Sequence, residues 1–181
     1  EFLVAEGQAD YIDKLLTNFA PKEVLFQRGK RNEFISLFGH KFFTFELDDW
    51  MMTTNATLER IYKQWQVNSI KGFGVDNLPN GVIAAGAILY YLDATQHIQN
   101  GHIQQLSRIE EEKYVWLDRF TIRNLELVRG QNEDSRTLYD VLDHTVTPMG
   151  GRMLHRWMAL PLKEVRAIRN RQMVVEHLFK Y

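Results

Sequence analysis

The chain has no cysteine, only four prolines and no excess of either charge, with 22 Lys and Arg against 23 Asp and Glu in 181 residues. Each absence excludes something. Without cysteine there are no disulfides, no thiolate nucleophile and no Cys-ligated zinc, which fits a reducing compartment and makes the cytoplasm the expected location. A net charge of −1 gives no global basic field, so any contact with nucleic acid would be local. The longest apolar run, GVIAAGAILYYL from Gly81 to Leu92, is too short to cross a bilayer and is expected to be a buried helix with no membrane partner. No GxxxxGK[ST] occurs, and Gly72-Phe73-Gly74 has neither the third glycine nor the helix of a dinucleotide fingerprint. Nucleotide hydrolysis by this stretch alone is therefore not expected, and no cofactor is assigned to it.

What is present reads as two kinds of structure. The opening, Phe2 to Val4, looks like a strand entered in its middle, so the chain is expected to be cut from something longer. Ile12, Leu15, Leu16 and Phe19 give an amphipathic helix that Pro21 ends, and Glu23 to Phe26 is then a strand, a β-α-β start. A short helix around Asn32 to Phe38 leads to the strand candidate KFFTFEL, and Leu58, Ile61, Tyr62 and Trp65 make another helical face. This is an α/β layer structure, with a sheet incomplete on its N-terminal side. The polar stretch Asp93 to Lys113 reads as a connection, and everything beyond it as helical. Asp118 can cap a helix carrying Phe120, Ile122, Leu125 and Leu127; Leu138, Val141 and Leu142 mark a short helix; Val165 to Phe179 mark a last one.

Thr147-Pro148 is a helix start, because the Thr hydroxyl can accept an orphan N–H and Pro fits the first helical position. Met153, Leu154, Trp157 and Met158 then share an apolar face, Arg152, His155 and Arg156 flank it, and Pro161 stops it. The plain reading is a packed helix with a basic edge. Asp48 and Asp49, with Glu46, are the candidate metal carboxylates, although neighbours on a strand face opposite ways. Glu110, Glu111 and Glu112 read as a solvated acidic run, and His97 and His102 have no helical partner for zinc, so no metal site is assigned. The arginines at 119, 123, 129, 152, 156, 166, 169 and 171 read as solvated faces and ion pairs, with contact to nucleic acid or another domain as the sharper alternative.

Two segments together resemble the MutS family of DNA mismatch repair proteins. Leu117, Asp118, Thr121, Arg123, Leu125 and Glu126 match an LD-x-x-T-x-R-x-LE helix. Val141, Leu142, Asp143, Thr145, Thr147, Pro148, Met149, Gly150, Arg152, Leu154, Trp157, Pro161 and Leu162 match the VLD-x-T-x-TPMG-x-R-x-L-x-x-W-x-x-x-PL segment of its core domain. Gly151 departs from the Ser or Ala usual there. Upstream, FLVAEG, APKEVLF and GAILYYLDATQ are similar to the family's connector domain. The resemblance implies a partial connector of ribonuclease-H-like topology over residues 1–96, a linker over 97–113, and the beginning of the helical core and lever domain over 114–181. It implies a non-catalytic transmitter between a mismatch reader and an ATPase, with Thr147, Pro148, Gly150, Arg152 and Trp157 at the structural junction. It also implies the partners: other domains of the same chain, MutL, mismatched DNA through a homodimeric parent protein, and ATP with magnesium bound elsewhere in that parent. The family's Phe-x-Glu wedge is absent from this sequence. A ribonuclease-H-like nuclease centred on Asp48 and Asp49, and a helical DNA-binding module, are the alternatives.

Overall fold

The computed structural model describes residues 2–95, 101–128, 130, 132 and 134–181; His97 and Arg129 lie outside them, as does the Arg119 side chain. The chain divides into two compact units, one of Glu1–Ile12 with Pro21–Ile109, the other of Asp13–Ala20 with Glu110–Tyr181.

The first unit contains β1 (Phe2–Val4), the opening of α1 (Ala9–Phe19), β2 (Val24–Gln27), α2 (Arg31–Phe38), β3 (Thr44–Leu47), α3 (Thr54–Trp65), α4 (Pro79–Ala94) and β4 (Leu106–Arg108). β2 and β3 run parallel, with Val24 opposite Thr44 and Gln27 opposite Leu47, and α2 is their crossover. The expected β-α-β start is thus displaced by one step along the chain: β1 is hydrogen-bonded not to β2 but to β4, also parallel, with Phe2 opposite Leu106 and Val4 opposite Arg108. Ile109 N–H adds a bond to the Val4 carbonyl at 2.8 Å. The stretch 93–113, read as a connection, therefore holds a strand. Leu106 is its anchor, fully buried in a segment too polar to show a period.

Val4, Ile61, Val75, Leu78, Val82, Ala85, Leu89 and Leu106 form the core of this unit, and Phe2, Leu58, Tyr62, Trp65, Ile70 and Phe73 close it. The face read from Leu58, Ile61, Tyr62 and Trp65 is the one that packs. α4 is apolar on every side, yet it is buried only in part: Ala84 and Ile88 remain exposed. Pro79 takes its first position, and the Glu6 carboxylate caps it by accepting the Gly81 N–H and the Asn80 side-chain amide, each at 3.0 Å. At the far end Arg60 of α3 holds Asp93 through two bonds of 2.6 and 2.9 Å.

The second unit is helical: α5 (Arg119–Asn124), α6 (Leu138–Leu142), α7 (Pro148–Ala159) and α8 (Val165–Lys180). Asp118 caps α5 as expected, its carboxylate accepting the Thr121 N–H at 2.8 Å. The helix stops earlier than its apolar positions suggest. Glu126 turns left-handed at φ 46°, and the carbonyls of Glu126 and Leu127 accept the N–H groups of Leu138 and Tyr139 at 2.8 and 2.9 Å. Bonds to the start of α6 replace the helical ones. Ile122 and Leu160 are the fully buried anchors of this unit, whereas the C-terminal apolar residues of α8 are open to solvent, Leu178 at 74% and Phe179 at 91%. Among the described residues no helix is long and apolar enough to cross a membrane.

Candidate functional site

The motif-bearing segment begins with two caps in succession. Thr137 and Asp140 form a reciprocal box at the start of α6: the Asp140 N–H donates to the Thr137 hydroxyl at 3.1 Å, and the Thr137 N–H donates to the Asp140 carboxylate at 2.9 Å. Thr147 caps α7, its extended backbone (φ −121°, ψ 147°) letting its hydroxyl accept the Gly150 N–H at 3.1 Å, and Pro148 occupies the first helical position. Between them Asp143 folds the loop by accepting the Thr145 N–H and hydroxyl at 3.1 and 2.6 Å.

These turns converge on Gly151. The Tyr139 hydroxyl donates to the Gly151 carbonyl at 3.3 Å, and the same ring meets the His155 imidazole edge-on with centroids 5.3 Å apart. The neighbouring Asp143 carboxylate, then burial, raises the Tyr139 phenol pKa. Tyr139, Asp143 and Thr145 thus form a lid of polar groups over the first turn of α7.

The buried line of this helix differs from the expected one. Gly151 and Ala159 are buried and His155, on the line between them, is half-buried; Met153 is exposed, and Leu154, Trp157 and Met158 are half-buried. The buried line thus runs at spacing four through Gly151, His155 and Ala159, beside the bulky stripe rather than along it. Trp157 is covered on one face by the Arg171 guanidinium, 3.9 Å from the ring centroid. Arg156 donates to the Tyr114 hydroxyl at 3.5 Å, and burial, then the charge of Arg171, lowers its pKa. Beyond the helix, Pro161 accepts from Val115 N–H at 2.8 Å, Lys113 accepts from Lys163 N–H at 3.0 Å, and Leu162 bridges Tyr114 in antiparallel fashion.

Of the junction residues expected from sequence, Thr147, Pro148 and Gly150 meet in one cap. Arg152 is exposed, and Trp157 lies roughly 15 Å further along the helix. The residues that tie the segment together lie outside that set: Tyr139, Thr137 with Asp140, and Arg171 in its stack on Trp157. Only Thr137 and Asp140 carried a readable signal, the T-x-x-D spacing of a reciprocal cap.

The acidic candidates in the first unit have other partners. Arg28 pairs with Asp48 at 2.5 Å and Gln27 donates to Asp49 at 3.1 Å, across the ends of β2 and β3. In the second unit Glu110 pairs with Lys113 at 2.7 Å. Among the described residues no three His, Asp or Glu side chains gather as a metal site requires.

Residues 1–104 match the family model of MutS domain II, and residues 120–181 that of MutS domain III. The chain belongs to the MutS family. Proteins called DNA mismatch repair protein MutS from Bacteroides fragilis and Phocaeicola vulgatus are each 56% identical to it over 180 residues, 99% of this chain and 21% of theirs. The protein of that name from Flavobacterium johnsoniae is 53% identical over 178 residues, 98% of this chain and 20% of its own. The chain thus spans about a fifth of the length of these MutS relatives, taking in domain II and the matched part of domain III.

Proposed function

We propose that this segment is the non-catalytic connector and the start of the core of a mismatch repair protein, and that it carries conformational signals between a mismatch-binding domain and an ATPase domain. The observation that carries the proposal is the succession of domains II and III in one 181-residue stretch, with the motif helix α7 tied at both ends. A transmitter acts through stiff elements whose ends are fixed to different neighbours, and α7 has that form. The connector takes a ribonuclease-H-like topology over residues 1–96, and the linker over 97–113 leads from it to the core. A surface of the connector docks MutL. ATP and magnesium, mismatched DNA and the homodimer partner belong to the parent protein, which works in the cytoplasm.

The nuclease reading is not favoured, because Asp48 and Asp49 are engaged by Arg28 and Gln27 and no third acid joins them among the described residues. This segment alone is expected neither to hydrolyse ATP nor to prefer a mismatch over homoduplex.

The test is made in the full-length parent protein, with ATPase rates measured on homoduplex and on mismatched DNA for wild type and Trp157→Ala, after both are shown to be folded. Basal hydrolysis and DNA binding should persist while the ratio of the two rates shrinks, since coupling acts only through contacts that differ between two states. An unchanged ratio would remove α7 from the path and leave it as scaffold.

A further inference from the structure

The end of α1 is built against its own burial. Thr17 and Asn18 are 4% and 0% exposed, yet the Thr17 hydroxyl and both amide atoms of Asn18 are buried without a hydrogen-bond partner. Burying a hydroxyl or an amide unpaired is unfavourable, because each gives up its bonds to water and receives none in return. Two residues later Ala20 is left-handed at φ 44°, where its Cβ crowds the following carbonyl and glycine is the usual occupant. The Ala20 N–H closes the helix on Leu16 at 3.0 Å, and Pro21 ends it.

Opening relieves all of these at once. Water pairs with the hydroxyl and the amide, and Ala20 returns to negative φ. Leu15, one turn before Asn18, is the buried apolar anchor; beyond it Phe19 is only half-buried, so little apolar contact opposes opening of the residues that follow. Residues 13–20 cluster with the helical unit, whereas the chain on either side of them clusters with the first unit.

We propose that the end of α1 with the left-handed residue after it, Thr17 to Ala20, is a release latch, which opens from the helical unit as a local event with Leu15 as its pivot while the rest of the fold stays closed. Such an element is a low-stability segment by construction, and its two states differ in which polar groups water can reach. This inference stands independently of the role in signal transmission.

Amide hydrogen exchange on the 181-residue chain, followed at increasing sub-denaturing urea, is the test. The amides of Phe19 and Ala20 should exchange by a route insensitive to urea and at least about 100-fold faster than those in the buried middle of α4. Thr17→Val removes the unpaired hydroxyl and keeps the shape, and Ala20→Gly removes the left-handed penalty. Each should slow exchange at Phe19 and Ala20 by about tenfold, which simple fraying of a helix end would not show. Asn18→Leu should do the same if it folds; the other two variants decide the matter if it does not. Exchange at these amides that follows global unfolding, or exchange unchanged or faster in both Thr17→Val and Ala20→Gly, overturns the latch.

Discussion

Gly86 of α4 lies directly against Thr57 of α3: a Cβ placed on it would stand 2.6 Å from the Thr57 Cα and 2.7 Å from its carbonyl oxygen. Thr57 is itself fully buried, its hydroxyl donating back to the Thr53 carbonyl at 2.8 Å, so it can turn no other face to its neighbour. The two helices meet backbone to backbone here, with nothing flexible between them. Gly86→Ala should therefore destabilise the chain by about 3 kcal/mol, the upper range for an overpacked core, and lower the urea midpoint without changing its slope. Gly72→Ala, where the added carbon meets nothing within 4 Å, is the control and should fall within about 0.5 kcal/mol of wild type. Equal effects at the two sites would mean that α3 and α4 separate at little cost.

Gly151 presents a finer balance. From the sequence, a glycine in the first turns of α7 promises a gain of roughly 0.5 to 1 kcal/mol on conversion to Ala. In the structure the new carbon would stand 3.2 Å from the Thr145 hydroxyl and 3.3 Å from the Tyr139 hydroxyl, with the Asp143 carboxylate at 3.5 Å. These are side-chain tips that can give by a few tenths of an ångström, but doing so loosens the Tyr139 bond to the Gly151 carbonyl. Gly151→Ala should come out within about 0.5 kcal/mol of wild type, and Gly151→Ala made in a Tyr139→Phe background should recover the helical gain. Thermal melts of the four proteins decide this. A full gain in the single variant would mean that the lid does not press on the helix.

The two glycines also mark how far the sequence could be read. α3 and α4 were legible from the spacing of Leu58, Ile61, Tyr62 and Trp65 and from one long apolar run, because periodicity reports which face is buried. Thr147-Pro148 was legible because a cap is local chemistry. The pairing of β1 with β4 was not, since it joins residues about a hundred positions apart and β4 is three residues long. Nor was the burial of Thr17 and Asn18, which lie outside the apolar stripe of α1; with Leu15 they cover an arc of about 160° of the helix, wider than an amphipathic pattern announces. At the junction, Tyr139 and Arg171 act through contacts across the fold, which no local spacing encodes.

Trp157 and Arg171 give a third outcome. A buried Trp truncated to Ala typically loses about 3 to 5 kcal/mol, but this ring is half-buried and one face is covered by a guanidinium. Trp157→Ala should lose about 1.5 kcal/mol, and a double-mutant cycle with Arg171→Ala should assign about 0.5 to 1 kcal/mol of that to the stack. Added salt should reduce the coupling only slightly, because the ring carries no net charge to screen. A coupling near zero would make Arg171 a bystander on the ring.

Acid should loosen the helical unit through three carboxylates whose pKa values are all lowered. For Asp118 the principal cause is the Thr121 N–H, then the Thr121 hydroxyl; for Asp140 the Thr137 hydroxyl, then the Thr137 N–H; for Asp143 the Thr145 hydroxyl, then Tyr139. Each bond is made to the ionised form, so the folded chain holds these groups below their unfolded values. Their stabilisation is then complete above the unfolded carboxylate pKa of about 3.9 and is lost as pH falls through the lowered folded values. Urea midpoints measured between about pH 6 and pH 2 should decline steeply below about pH 4. Replacing Asp118 and Asp143 by Asn keeps an oxygen acceptor at each turn and removes two titrating groups, so the decline should become shallower, while at neutral pH the double variant should be the less stable protein because its acceptors are uncharged. An identical acid slope in the double variant and wild type would place the acid sensitivity in other carboxylates and leave these turns held equally well by either protonation state.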